Sequence, residues 1–199
     1  MTQWIENPSG GRDRGVKALV RAWFEVLVRP WRFFRVGVAP GDQAPGLVFL
    51  MAVVLVSETS RYLLVDGAYP SLPIARPLEG AFWLSLVVLF VAPLSLHLVS
   101  AVQTLFLALF VPDRAGISQT VQVIAYSTAP CVFAGIPVPG LRLICATYGA
   151  VLLIVGLQVV HETSLIRATL AGVVPAALVF GSGFHGFTAL EALGVPIPL

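Results

Sequence analysis

The chain has 199 residues, 57% hydrophobic and 11% charged, with a net charge of +2 and a mean hydropathy of +0.90. Soluble domains carry about 25% charged residues, so the polar groups here are too few to cover a water-facing surface. A soluble globular protein is excluded, and an all-α polytopic membrane bundle is the expected fold.

The first residues, Met1 to Gly15, are polar and glycine-rich and read as a mobile tail. No cleavable signal peptide is expected, because arginines recur there without a clean apolar stretch and cleavage site. From Val16 to Val38, Lys17, Arg21, Arg29, Arg32 and Arg35 alternate with Leu19, Trp23, Phe24, Leu27, Trp31, Phe33 and Phe34. Five cations cannot cross hydrocarbon at about 2.5–3.5 kcal/mol each. They suit an amphipathic helix at headgroup level, split or kinked at Pro30, with Arg29, Trp31, Arg32, Phe33, Phe34 and Arg35 facing lipid. Residues 1–38 are thus a cytosolic tail with a basic interfacial arm. Residues 45–190 form the membrane domain.

A span needs about 20 apolar residues. Span one is expected at Pro45 to Val65, with Glu58 and Arg61 three residues apart and able to pair within the membrane. A proline-rich loop, Asp66 to Glu79, follows. The next run, Ala81 to Val111, is too short for two spans and reads as one long helix bent near Pro93. His97 and Gln103 are expected to face other helices, through hydrogen bonds or as a ligand or proton site. Span three, Ser118 to Ile136, carries Tyr126, Ser127, Thr128 and Pro130 at its centre. Pro137-Val138-Pro139-Gly140 joins it to span four, Leu141 to Val160, as a tight antiparallel hairpin. Span five, Leu165 to Phe187, holds Pro175. Cys131 and Cys145 lie in apolar runs and read as packing residues rather than a disulfide or metal pair.

About five spans put the termini on opposite sides. Positive charge then places the N-terminus in the cytoplasm and the C-terminus outside, in the plasma membrane of a prokaryote. Ala168, Gly172 and Ala176, with Ala146, Gly149, Ala150 and Gly156 on span four, make small-residue seams for a monomeric bundle or an oligomer contact.

Chemistry finds little support. His161-Glu162 opens like a zinc-protease helix, but the second histidine position is Leu165. Gly181-Ser182-Gly183 with His185 suggests a serine dyad without an oxyanion hole. No catalytic residue, metal or cofactor is expected. A small transporter or channel is the alternative, on the strength of the mid-span prolines.

Several segments resemble the Yip1 family, whose members place a cytosolic N-terminal segment before five spans. Ala125-Tyr126-Ser127-Thr128-Ala129-Pro130 resembles the family's G-Y-x-x-x-P segment, with alanine for glycine. Ile136-Pro137-Val138-Pro139-Gly140 resembles the turn after it. Arg29-Pro30-Trp31-Arg32-Phe33-Phe34 resembles the R-P-x-x-F-F entry of prokaryotic members, and Gly156 to Ser164 with Arg167-Ala168 resembles their span four to five junction. The acidic D-L-Y-G-P segment of eukaryotic members, which are linked to prenylated small GTPases and vesicle traffic, has no counterpart here. The resemblance implies a non-enzymatic integral membrane protein that organises membranes or partners. Tyr126, Pro130 and Pro137 would shape the bundle, and His161, Glu162 and Arg167 would face a partner. The expected partners are the bilayer, its anionic inner-leaflet lipids, and another membrane protein or a second copy. Nucleic acid is not expected.

Overall fold

The computed structural model describes residues 3–6 and 12–196. Their regular elements are helices joined by loops, apart from a short antiparallel ribbon, β1 (Gln3–Glu6) with β2 (Arg12–Arg14), in the segment read as a mobile tail. The rest of that tail, Met1, Thr2 and residues 7–11, lies outside the described residues, as do residues 197–199.

Among the described residues, four helices are long and apolar enough to cross a membrane. The first is α3 (Ala44–Leu64). The second runs unbroken from α4 (Arg76–Leu86) through a π turn (Val87–Val91) into α5 (Ala92–Phe110). At 35 residues it is about 52 Å long and overreaches a hydrocarbon core of about 30 Å. The third is α7 (Pro139–Val160). The fourth joins α8 (Leu165–Ala176) to a second π turn (Ala177–Gly183). It stops short of Phe187, because His185 turns left-handed at φ 59° and starts a separate α9 (Gly186–Ala192) that folds back on α7.

The remaining expected span is broken. Helix α6 (Ile117–Ser127) passes into a 3₁₀ segment (Ala129–Phe133). Together they reach roughly 27 Å, close to a membrane's thickness. Pro130 has no N–H to continue the α-helix. Ser127 Oγ donates to the Val123 and Ile124 carbonyls at 2.9 and 2.8 Å, and Thr128 Oγ1 to Ala125 at 2.7 Å, so the hydroxyls find partners where no water could supply them.

Residues Thr120 to Cys131 are all buried, making this broken segment the hub of the bundle. Helices α3, α5 and α7 surround it, and α1 (Gly15–Val28) and α2 (Pro30–Gly37) close the side between α3 and α7. The polarity is that of a membrane protein: Ser57, Ser100, Gln103, Gln122, Ser127 and Thr128 are inside, while Phe90, Leu94, Leu98, Leu105, Leu109, Ile144 and Ile166 face outward. Water would reverse that arrangement.

Each central proline is answered locally. Pro93 follows the first π turn, where Ala92 N–H reaches back to the Val87 carbonyl. Pro175 leaves the Ala171 carbonyl without its usual donor, and Gln103 Nε2 fills the gap at 2.9 Å from α5. This is the interhelical bond expected of Gln103. His97 behaves otherwise: it is exposed, and its Nδ1 lies 2.7 Å from the Pro93 carbonyl of its own helix. Replacing Gln103 with leucine should cost about 1–2 kcal/mol. In a Pro175→Ala background, which restores the N–H for Ala171, the cost should shrink. Melting of all four proteins in detergent measures the coupling.

The small-residue seam is used within the chain. A Cβ on Gly172 would stand 2.6 Å from Ile154 Cδ1, and one on Gly149 would stand 2.3 Å from the Phe180 ring. Helices α7 and α8 therefore approach backbone to side chain.

Candidate functional site

Tyr126 is the largest side chain at the hub, and it is fully buried. Its ring meets Phe33 of α2 edge-on at 4.8 Å and Phe49 of α3 at 5.1 Å between centroids. Phe34 packs beside Phe33 at 5.7 Å and next to Gly156, where a Cβ would stand 3.0 Å from the Phe34 ring. Phe33 and Phe34 are each 1% exposed and do not face lipid as the sequence reading has them. They lie on the inner face of α2, and the open side of α6 offers aromatic partners there that lipid tails lack. Arg29, Trp31, Arg32 and Arg35 occupy the outer face and are exposed.

Two further bonds fix the arm. Trp23 Nε1 donates to the Ala129 carbonyl at 2.8 Å, beside Pro130. Tyr148 of α7 donates its hydroxyl to the Leu27 carbonyl, near the end of α1 where Pro30 interrupts the helical pattern. After α2 the chain is clamped again. Gln122 Nε2 donates to the Ala39 carbonyl at 2.6 Å, and Gln122 Oε1 accepts from Ala39 N–H at 3.2 Å. The arm and the residues after it are thus tied to the bundle by side chains at three places.

His161, Glu162 and Arg167 lie at the α2 end of the bundle, but not as one surface. His161 is 2% exposed. Its Nδ1 accepts from Ala115 N–H at 3.1 Å, tying the α7–α8 turn to the α5–α6 loop, and its Nε2 stands 3.5 Å from Thr120 Oγ1. Burial, then the nearby Arg114, lowers the imidazole to about 4, so it is neutral. Glu162 turns left-handed at φ 46°, and Thr163 N–H returns to the Gln158 carbonyl at 3.1 Å. That is a helix-ending Schellman turn, and it points His161 inward. Only Glu162 and Arg167 remain exposed.

At the opposite end, Arg61 Nη1 is 3.3 Å from Glu58 Oε2, forming the pair expected from their spacing. Tyr69, from the α3–α4 loop, donates its hydroxyl to the same carboxylate and lies under the Arg61 guanidinium, 5.3 Å from ring centroid to Cζ. Burial, then the Glu58 carboxylate, holds the Tyr69 phenol above its usual range. Tyr69 also stacks on Trp83 of α4 at 5.6 Å. The turn after the 3₁₀ segment presses against α3 through Gly135. It presents the Ala134 carbonyl to Arg142 Nε at 2.8 Å and leaves Pro137 exposed. His185 stands close by, and burial with Arg61 lowers its proton affinity. Its backbone N–H donates to the Ser182 carbonyl at 3.4 Å.

The hub, the arm and the proline turn are the segments singled out in the sequence. A Yip1 domain family model matches residues 24–185. The chain belongs to the Yip1 family. No curated protein and no solved structure matches it. Within this Yip1 domain, the Tyr126–Pro130 segment is the buried broken helix against which the arm and α3 pack. Sequence reading missed Gln122, Tyr148 and Arg142 as clamps. Arg142 is a lone charge in an apolar run, which was an available signal; Gln122 and Tyr148 sit beside other polar residues and gave none.

Proposed function

We propose that this Yip1-family membrane protein is a non-enzymatic scaffold whose basic end docks anionic lipid and a protein partner. One observation carries the reading: the exposed Trp31, Arg32 and Arg35 of α2, with Arg29 at its N-cap and Arg32 held by Glu25 at 2.8 Å, sit on a helix whose other face is inserted in the hub. A ligand on the outer face would load a rigid element rather than a loose tail. Arg114, Glu162 and Arg167 extend the same end as a charged surface. The orientation that fits is arm inward, on the anionic leaflet.

Two measurements on the full-length protein test this. In nanodiscs, tryptic cleavage at Arg32 and Arg35 should slow when anionic lipid replaces neutral lipid, and the protection should fade with salt. In mild detergent, a partner identified by mass spectrometry on the wild type should be lost from an Arg114→Gln/Arg167→Gln variant that melts normally. Salt-independent protection, a partner indifferent to both arginines, or solute flux in vesicles would count against the scaffold.

A further inference from the structure

The two π turns face one space. Between them, α3 and α6 lies a chamber of about 460 Å³. That volume is within the usual 300–1,000 Å³ of ligand sites, and π turns recur at such sites. Leu50, Val54 and Glu58 follow one another at every fourth residue along its α3 wall, so the chamber extends about 12 Å beside that helix. It is apolar at Leu50 and Val54 and polar at Glu58. It opens sideways, where Val91, Leu98 and Leu178 of its wall are exposed on the flank that faces the bilayer. A molecule entering by that route comes from the lipid.

Among the described residues, Glu58 is the one charged side chain in the lining. Arg61, Asp66, Arg142 and Glu191 do not line the chamber. The charge of Glu58 is already met, because the Arg61 guanidinium and the Tyr69 hydroxyl both donate to Oε2. No donor among the described residues reaches Oε1, and that oxygen is not sealed from free space. Ser182 lines the same end, since its neighbour His185 lies in the field of Arg61 and Glu58. The Ser182 hydroxyl makes no hydrogen bond among the described residues, whereas Thr128 spends its own on the Ala125 carbonyl.

These groups narrow the occupant. An anionic head would meet the Glu58 carboxylate. A cationic head would compete with Arg61 for it. A hydroxyl can donate to the open Oε1 and accept from Ser182 while the ion pair stays intact. A chain without a donor would cover that oxygen and leave it unpaired, which is costly. We propose that the chamber binds an uncharged lipid alcohol, with its chain beside α3 between the π turns and its hydroxyl on Glu58 Oε1. The site is separate from the basic arm and does not rest on the scaffold reading.

The test uses full-length protein in phosphatidylcholine nanodiscs with a photoreactive long-chain alcohol, labelled in its chain. The matched methyl ether, alkyl sulfate and primary amine are run beside it. The alcohol should label peptides in residues 87–99 and 178–184, exceeding the ether by about tenfold and exceeding both ions. Glu58→Met, which removes both oxygens, should bring the ratio of alcohol to ether to about one while chain labelling persists. Ala92→Phe, which adds a ring at a buried lining position, should abolish labelling by all four probes. The four-probe comparison on the wild type decides the matter alone if either variant does not fold. Equal labelling by alcohol and ether, stronger labelling by the sulfate or the amine, or label spread along the outer faces of α5 and α7 would overturn the proposal. So would full labelling of an Ala92→Phe protein that melts normally.

Discussion

Replacing Gly135 with alanine should destabilise the protein by about 3 kcal/mol or more. The added Cβ would stand 1.8 Å from the Ser57 carbonyl oxygen and 2.9 Å from the Arg61 amide nitrogen. Both are backbone atoms of α3, so no rotamer change relieves the clash, and the turn or the helix must move. Five residues on, Gly140 has nothing within 4 Å of its Cβ position and lies in the first turn of α7. Gly140→Ala should be neutral or stabilise by up to about 1 kcal/mol, since alanine has the better helix propensity. Opposite signs from the same substitution separate a packing effect from a general effect on turn flexibility. The chain reports its own unfolding through Cys131 and Cys145, which are buried and free. A thiol-reactive dye followed during heating in detergent should show early labelling for Gly135→Ala and wild-type labelling for Gly140→Ala. Matching melts for the two variants would mean that the turn does not need to touch α3.

The spans were legible because hydropathy is a one-dimensional signal: a run of about 20 apolar residues has one stable use in a bilayer. The single long helix through Pro93 followed from length alone, and the break in span three from Pro130 beside two hydroxyl residues. Solvent identity was harder. Phe33 and Phe34 have an apolar face that would suit lipid or protein equally well, and only the open flank of α6 decides between them. His161 looked like surface because it sits among Glu162, Thr163 and Ser164. The left-handed turn at Glu162 sends it inward, and turn handedness is not written in composition. The prolines marked where helices would deviate, but not that Pro93 and Pro175 would each adjoin a π turn. Gly135 gave no sequence signal, because its role is a contact with α3 some 78 positions away.

Those long-range contacts share a pattern. Gln122 clamps Ala39, Tyr148 clamps Leu27, Trp23 clamps Ala129 and Gln103 clamps Ala171. In each case a side chain from one helix meets a backbone carbonyl elsewhere, and all four carbonyls lie near a proline: Pro40, Pro30, Pro130 and Pro175. A chain with this many mid-span prolines carries carbonyls that lipid cannot satisfy. The polar residues inside are explained by that need before any solute pathway is invoked, which weakens the transporter reading without requiring a further site.

Acid should loosen the basic end before it reaches the carboxylates' own range. His161 has an ordinary imidazole value of 6.5 when unfolded and about 4 when folded, through burial and Arg114. The unfolded chain therefore takes up a proton as pH falls through 6.5, while the folded chain does not. Stability is constant above that value, declines between roughly pH 6.5 and 4, and levels below, for a total of about 3 kcal/mol from this one group. The cause is specific: a proton on Nδ1 destroys the acceptor for Ala115 N–H, freeing the α5–α6 loop from the α7–α8 turn. His161→Asn offers an amide oxygen in place of Nδ1 and cannot titrate in this range. Thiol-dye melting at pH 7.5, 6 and 4.5 should give a wild-type loss clearly larger than that of His161→Asn, whose residual slope belongs to the acidic groups alone. Identical slopes would mean that His161 is hydrated rather than buried, and the link between the two loops would have to be abandoned.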